Sequence, residues 1–365
     1  MQAIVENKRY LTEQIITYIG NKRSLLGEIE YEIKNIMRHL GKDRGITCDL
    51  FSGSGIVARL LKQFSTMVIA NDMEQYSYVI NDCYLTNKDE FDRELYFGYK
   101  RLIEDEPLVY DGIISSNYAP ADDNDVKMGE RVFYTHENAV LIDTYRAAIN
   151  KVPQEYRKFF IAPLLYEASV HVNTSGVFKG FYKSKETGIG KFGGDGGNAL
   201  ERIKGRITLK EPVFSNFASE TELYKEDANV LCHKLKDIDI TYVDPPYNQH
   251  PYGSNYFMLN TIISNRIGQN ISNVSGIPDD WNRSDYNKKS MALRSFDNLI
   301  SALDSKYIIV SYNNEGFITY DEMSELLSKY GKLSHKSIEY NVFRGSRNLR
   351  NRNIHTTEYL FTLKK

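Results

Sequence analysis

The chain has 365 residues, enough for two domains or for one domain carrying a large insertion. Its net charge of −2 excludes a generally basic nucleic-acid coat, so any polyanion contact must be local. Hydrophobic content of 41% with dispersed charge suits a folded soluble protein, and no apolar run approaches the roughly 20 residues that span a bilayer.

The N-terminus lacks the basic-then-apolar pattern of a secretion signal. Cys48, Cys83 and Cys232 are far apart, odd in number and without a CxxC, which reads as buried thiols in a reducing compartment. The 7 histidines are scattered and give no metal-ligand spacing. The 27 tyrosines suit stacking and phosphate contacts as well as half-buried packing.

In chain order, residues 11–17 lead into the loop Tyr18-Ile19-Gly20-Asn21-Lys22-Arg23, and an amphipathic helix is predicted from about Ser24 to Leu40. Ile46 to Phe51 reads as a buried strand running into Ser52-Gly53-Ser54-Gly55, with helical periodicity from Ile56 to Phe64. A second strand, Met67 to Ala70, ends at Asn71-Asp72, and a helix follows to about Leu85. Strand, Gly loop, helix, strand, acid is the opening of a doubly wound α/β sheet.

From about residue 88 the character changes to charged and Tyr-rich, with helices predicted over Glu137 to Ile149 and 153–172. A Gly- and Lys-rich stretch, Gly176 to Gly197, sets lysines among aromatics. The α/β pattern resumes near 216, with strands at Ile238 to Val243 and Lys306 to Ser311, and Ser337 to Phe343 pairing with Thr357 to Leu363 as a closing hairpin. The expected organisation is a sheet domain over 1–88 and 216–365, interrupted by an insert over 89–215.

The strand at 238–243 delivers Asp244-Pro245-Pro246-Tyr247 into a loop. The acid, the prolines and the aromatic suit methylation of an exocyclic amino group on a planar base. Such a nitrogen is a poor nucleophile because its lone pair is delocalised into the ring. A carboxylate and a backbone carbonyl accepting its two hydrogens would draw it toward sp³. The prolines fix φ and hold their carbonyls in place, and the aromatic offers the base a face to stack on. The alternative is an Asp-Pro-Pro turn ending a strand.

Other motifs are weaker. The loop Asp49-Leu50-Phe51-Ser52-Gly53-Ser54-Gly55 has glycines where a ligand can approach the backbone, but a dinucleotide site would want a third glycine where Ala58 stands. The shorter pattern suits a ligand without phosphates, such as S-adenosylmethionine. Asp72 is placed either to accept two ribose hydroxyls or to cap a helix. Lys22 reads either as a solvated lysine in a helix-entry loop or as a lid residue meeting a cofactor carboxylate. Asp227 reads either as a polar cap or as a contact to the cofactor's adenine.

Taken in order, these residues resemble the Dam-like α-group of DNA adenine-N6 methyltransferases, found alone and in restriction–modification systems. Tyr18-Ile19-Gly20-Asn21-Lys22 is similar to its Y-x-G-x-K segment, Phe51 to Gly55 to its F-x-G-x-G, and Asp244 to Tyr247 to its D-P-P-Y. The Tyr-Phe pair in Tyr252-Gly253-Ser254-Asn255-Tyr256-Phe257 is similar to the segment after D-P-P-Y that helps line the cofactor and base pockets. The resemblance implies S-adenosylmethionine bound by Tyr18, Gly20, Lys22, Asp49, Phe51, Gly53, Gly55, Asp72, Asp227 and Asp244. It implies catalysis by Asp244, Pro245, Pro246 and Tyr247 on an adenine in duplex DNA. It further implies a cytoplasmic, nucleoid-associated enzyme with a cognate restriction endonuclease as functional partner. The insert would carry target recognition, with Asn173 and Lys179 at a hairpin tip bracketed by Gly176 and Gly180. Arg344, Arg347 and Arg350 would hold DNA phosphates. The stretch Asn173 to Gly180 departs from the Asn-Gly-Arg recognition hairpin of Dam, which leaves the target sequence open. An N4-cytosine enzyme and a catalytically inactive binding module are the alternatives.

Overall fold

The computed structural model describes residues 4–194, 196–197, 199–341 and 355–365. Among them, seven strands form one sheet. These are β1 (Gly45–Asp49), β2 (Ser65–Asn71), β3 (Glu220–Tyr224), β4 (Ile238–Val243), β5 (Ser305–Asn313), β6 (Lys332–Asn341) and β7 (His355–Lys364). Their order across the sheet is β3-β2-β1-β4-β5-β7-β6. The first five are parallel, and β7 runs antiparallel to both β5 and β6. This is the doubly wound sheet with a terminal antiparallel hairpin that the strand spacing implies.

The early helices are α1 (Leu26–Leu40), α2 (Ile56–Leu61) and α3 (Gln75–Tyr84). In α1, Ile29, Ile33, Ile36 and Met37 fall on one stripe and are buried. The helix ends where Gly41 takes the left-handed conformation and its N–H bonds Arg38 O at 3.1 Å. Ile240, Tyr242, Tyr307 and Ile309 of the sheet pack with α1 and α2. Ile308, Val310, Phe361 and Leu363 pack on the other face with α12 (Lys289–Ala302) and α13 (Tyr320–Ser328). Covered on both faces, β4 is buried along its whole length. Its one internal acid, Asp239, is paired at 2.7 Å with both Lys42 and Lys306.

Between α3 and β3 lie α4 (Arg93–Glu104), α5 (Ile113–Tyr118), α6 (His136–Ile149), α7 (Gln154–Val170) and α8 (Leu200–Lys204). After β3 come α9 (Ala228–Leu231), α10 (Tyr252–Asn255) and α11 (Phe257–Ser264). Aromatic and aliphatic side chains of α4 to α7 share one apolar cluster with Tyr76, Ile80 and Tyr84 of α3 and with Phe257, Leu259 and Ile262 of α11. The change of sequence character at 88 is therefore not a break in packing.

Cys48, Cys83 and Cys232 are buried free thiols. Among the described residues, no helix is long and apolar enough to cross a membrane.

Candidate active site

The strand order reverses beside β1, with β2 on one side and β4 on the other. A crevice opens at such a switch point, outside the carboxyl ends of the strands. Here it is a cavity of about 820 Å³. Of the residues expected to hold the cofactor, all but Gly55 and Asp227 line it.

The Gly loop bends under it by left-handed turns. Gly53 has φ +50°, and a Cβ there would come within 2.9 Å of the Tyr18 ring. The Gly53 N–H donates to Asp72 at 2.8 Å, and the Glu74 N–H donates to the other oxygen of that carboxylate at 2.9 Å. Burial pushes the Asp72 carboxyl up to about 6, against the pull of those N–H groups. Gly55, at φ +77°, serves packing instead: a Cβ would meet Asn81 Oδ1 at 2.8 Å, where α2 lies against α3.

Asp49, at the end of β1, is 1% exposed. Its two oxygens have no hydrogen-bond partner among the described residues. The Phe51 and Ala58 amides lie near without good bonding geometry, and burial, with Asp244 adding to it, raises the carboxyl well above its usual range. A buried acid without partners at a cavity wall is a place for a ligand's donor or positive charge.

Lys22 is buried, and its ammonium meets Asp244 Oδ2 at 2.9 Å, Glu358 Oε1 at 3.3 Å and Gly20 O at 3.2 Å. One of these contacts, to Gly20 O, is a hydrogen bond, and the two carboxylates are ion-pair partners. Lys22 is therefore paired rather than solvated, and it lines the first cavity beside Asp244. Burial lowers its pKa, but Asp244 and Glu358 outweigh that and raise it well above the usual lysine value. Burial raises Asp244 to about 6, with Lys22 pulling it down and Glu358 pushing it up.

The Asp-Pro-Pro-Tyr loop runs along a partition. Asp244 and Pro246 face the first cavity, while Tyr247 lines a second of about 580 Å³. Pro245 is buried between them. Tyr252 is in the walls of both cavities. Its ring stacks on Tyr18 at 5.0 Å, and Tyr18 stacks on Tyr256 at 4.6 Å. The N-terminal loop is thereby fastened to the segment after the Asp-Pro-Pro-Tyr loop. Tyr256 and Phe257, expected to line the pockets, are buried packing residues, and Tyr252 does the lining.

The model for D12 class N6 adenine-specific DNA methyltransferases matches residues 18–326, from Tyr18 through β5 and into α13. The chain belongs to this family. It is 32% identical over 362 residues to the type II methyltransferase M.NlaIII of Neisseria lactamica, covering 96% of this chain and 99% of that one. It is 31% identical over 327 residues to M.CviAII of Paramecium bursaria Chlorella virus 1, covering 87% and 89%. It is 29% identical over 371 residues to the modification methylase StsI of Streptococcus sanguinis, covering 95% of this chain and about half, 52%, of that longer one. The chain is thus a DNA methyltransferase acting on adenine N6 with a methyl donor, and the N4-cytosine and inactive alternatives fall away.

Several side chains of the methyltransferase sit elsewhere than the sequence implies. Asp227 is the exposed N-cap of α9 and accepts from Asn229 N at 2.7 Å, and the cavity takes Glu226 and Ala228 from that segment instead. The cap alternative describes it, because its carboxylate turns back onto its own helix start.

Asn173 is 0% exposed. Its amide donates to Val132 O at 2.7 Å and Lys191 O at 2.9 Å and accepts from Gly193 N at 2.9 Å. It cannot present an edge to a base, and the expectation that it reads one is corrected. Gly176 to Gly180 is not a hairpin tip either, because Phe178 is buried and its N–H bonds Asn255 O at 2.8 Å. The hairpin lies further on, where Lys183 bridges Gly190. Lys179 instead lines the second cavity, beside His250 and Tyr247. Burial lowers its pKa, and burial together with Lys179 lowers that of His250. Arg344, Arg347 and Arg350 lie outside the described residues.

Three contributors were not anticipated. Glu74 is 4% exposed and accepts from Asn260 at 2.7 Å and from Asn282 at 3.3 Å. Burial, with Asp72 adding to it, pushes its carboxyl up to about 7. Asn282, Arg283, Ser284 and Asn287 close over the first cavity, and the Asn287 amide bonds Asn248 O at 2.7 Å. Glu358 reaches Lys22 from β7. Glu74 stands two residues after Asp72, which is a usable signal, whereas the polar loop at 282–287 and the single acid on β7 carry none.

Proposed function

We propose that the methyl donor is S-adenosylmethionine, held in the first cavity, and that the acceptor is an adenine turned out of duplex DNA into the second. The donor set fits that cofactor. Asp72 suits two ribose hydroxyls, the bent Gly loop admits a ligand against the backbone, and the partnerless Asp49 suits a cationic group. When bound, the cofactor supplies a methyl group already activated by the positive charge on sulfur.

The chain's own work is at the amino group. Asp244 and the Pro245 carbonyl accept the two N6 hydrogens, which frees the nitrogen lone pair. Tyr247 stacks on the ring and holds the nitrogen toward the partition. Unstacking the base costs a few kcal/mol, which orientation of two bound reactants offsets in the rate. Asp244 further stabilises nitrogen as it gains positive charge. The observation that carries this reading is the division of one loop between two cavities, Asp244 toward one and Tyr247 toward the other.

Residues 89–215 are the proposed target-recognition part. The names of the relatives, type II methyltransferase and modification methylase, support a role in a restriction–modification system. The enzyme would mark cytoplasmic DNA against a cognate endonuclease.

The test is to incubate unmodified duplex DNA with the protein and S-adenosylmethionine and to map modified bases. N6-methyladenine at one short sequence is expected. Methylation of single-stranded DNA only, or no dependence on that cofactor, would count against the reading.

A further inference from the structure

Glu358 is more than 100 residues beyond the catalytic loop and belongs to no motif. It lies on β7, opposite Asn313 of β5, and is 1% exposed. Burying a carboxylate so deeply is costly unless it is paired. Its partners include the Ser311 hydroxyl and the Lys22 ammonium, the latter at 3.3 Å. The same ammonium is 2.9 Å from Asp244. One buried cation is thus shared between a carboxylate in the loop after β4 and one on β7.

We propose that Glu358 is a positioning residue for methyl transfer: by holding a share of Lys22, it fixes the ammonium beside Asp244 and prevents the cation from being given over wholly to that carboxylate. The inference rests on Asp244 being the acceptor for the N6 hydrogens. A lone Lys22–Asp244 pair would be neutral, and its carboxylate would be a weaker acceptor toward N6. With Glu358 the three groups carry a net negative charge, and the lone pairs of Asp244 stay available. The antiparallel insertion of β7 beside β5 is what brings the second carboxylate within reach.

Among the described residues, the other titratable groups facing Asp244 or Lys22 are Asp49 from β1, Tyr242 from β4, Tyr247 in the loop and Tyr252 from α10. Burial raises all four, which favours their neutral forms. Among the described residues, Lys22 and Glu358 are left as the charged neighbours of the acceptor.

The experiment is single-turnover methyl transfer at saturating S-adenosylmethionine and DNA, from pH 5 to 8.5, for wild type, Glu358→Gln and Glu358→Asp. Glu358→Gln should lower the plateau rate by about 10–100-fold, with cofactor and DNA affinities within about twofold of wild type. Removing a negative neighbour favours ionised Asp244, so the acid limb should move to lower pH, by about one unit. Glu358→Asp keeps the charge but draws it back by one methylene, and should fall between the two.

In a Lys22→Met background, Glu358→Gln should have no further effect on the rate. An unmoved acid limb with an unchanged plateau, or an equal effect of Glu358→Gln with and without Lys22, overturns the proposal. If Glu358→Gln does not fold, Glu358→Asp decides, and a wild-type profile for it overturns the proposal. Asp244→Ala separates the two claims. If it turns over normally, the catalytic reading fails. If it is dead while both Glu358 variants behave as wild type, only the role of Glu358 fails.

Discussion

Asp49 and Asp143 are both buried carboxylates, 1% and 3% exposed, and their surroundings treat them in opposite ways. Asp143 accepts from Ile114 N at 3.0 Å and Ser115 N at 2.7 Å, and so ties the start of α5 to α6. Asp49 has no such partner among the described residues and looks into the first cavity. The contrast extends to whole regions. At the carboxyl edge of the sheet, Asp49 and Tyr247 face open space. Between α3 and β3, Asn173 and Arg202 spend their donors on backbone carbonyls, and Glu167 pairs with Lys210 at 2.7 Å. The same residue types line open cavities in one region and hold the chain together in the other. What separates them is position at a strand end beside the switch point.

The comparison breaks most sharply at its extremes. Asp244→Ala should lower methyl transfer by about 10²–10³-fold while the protein stays folded. Asn173→Ala should do the reverse. It removes a hydrogen-bond partner from two carbonyls and an N–H in the interior, so stability should drop by about 2–4 kcal/mol in denaturant titration, with the target sequence unaltered. A stable Asn173→Ala protein with relaxed sequence discrimination would return that residue to DNA recognition.

Asp72→Ala should weaken S-adenosylmethionine binding by about 1.5–3 kcal/mol, the usual range for hydrogen bonds to a charged group, as read by calorimetry. Unchanged affinity would remove Asp72 from the cofactor site. The smallest expected effect is at Lys179. Beside the second cavity it is now expected to hold a phosphate of the displaced nucleotide. Lys179→Ala should weaken all duplexes evenly and flatten the log K against log salt slope by about 1. Loss of discrimination at a single base position would restore the base-reading role.

The same contrast explains what could be read from the sequence. Asp49, Asp72 and Asp244 were legible because each ends a short apolar run, so its place at the sheet edge follows from the strand. The closing hairpin was expected at 337–343 and 357–363, and Ser337 does pair with Tyr359, although β6 begins earlier, at Lys332. Asn173 was misread because burial is a tertiary property. Its three backbone partners, Val132, Lys191 and Gly193, come from both sides of it in sequence. Asp227 was read as two alternatives, and only its turn onto Asn229 chose between them. Glu358 was invisible because its meaning depends on Lys22, at the other end of the chain. Strand order, not local pattern, brings the two together.

The central claim is that an ionised Asp244 accepts the N6 hydrogens, and the pH dependence of the single-turnover rate tests it most directly. Cofactor and DNA must be saturating, so that Asp72 and Glu74, which titrate nearby, do not enter through binding. Asp244 is raised to about 6, so it is ionised above that pH and neutral below it. The wild-type rate should be level from about pH 7 upward and fall about tenfold per unit once the pH is below about 6. The limb should disappear in Asp244→Asn, along with most of the rate. A wild-type rate that stays flat down to pH 5, with the protein folded and both ligands bound, would contradict the account.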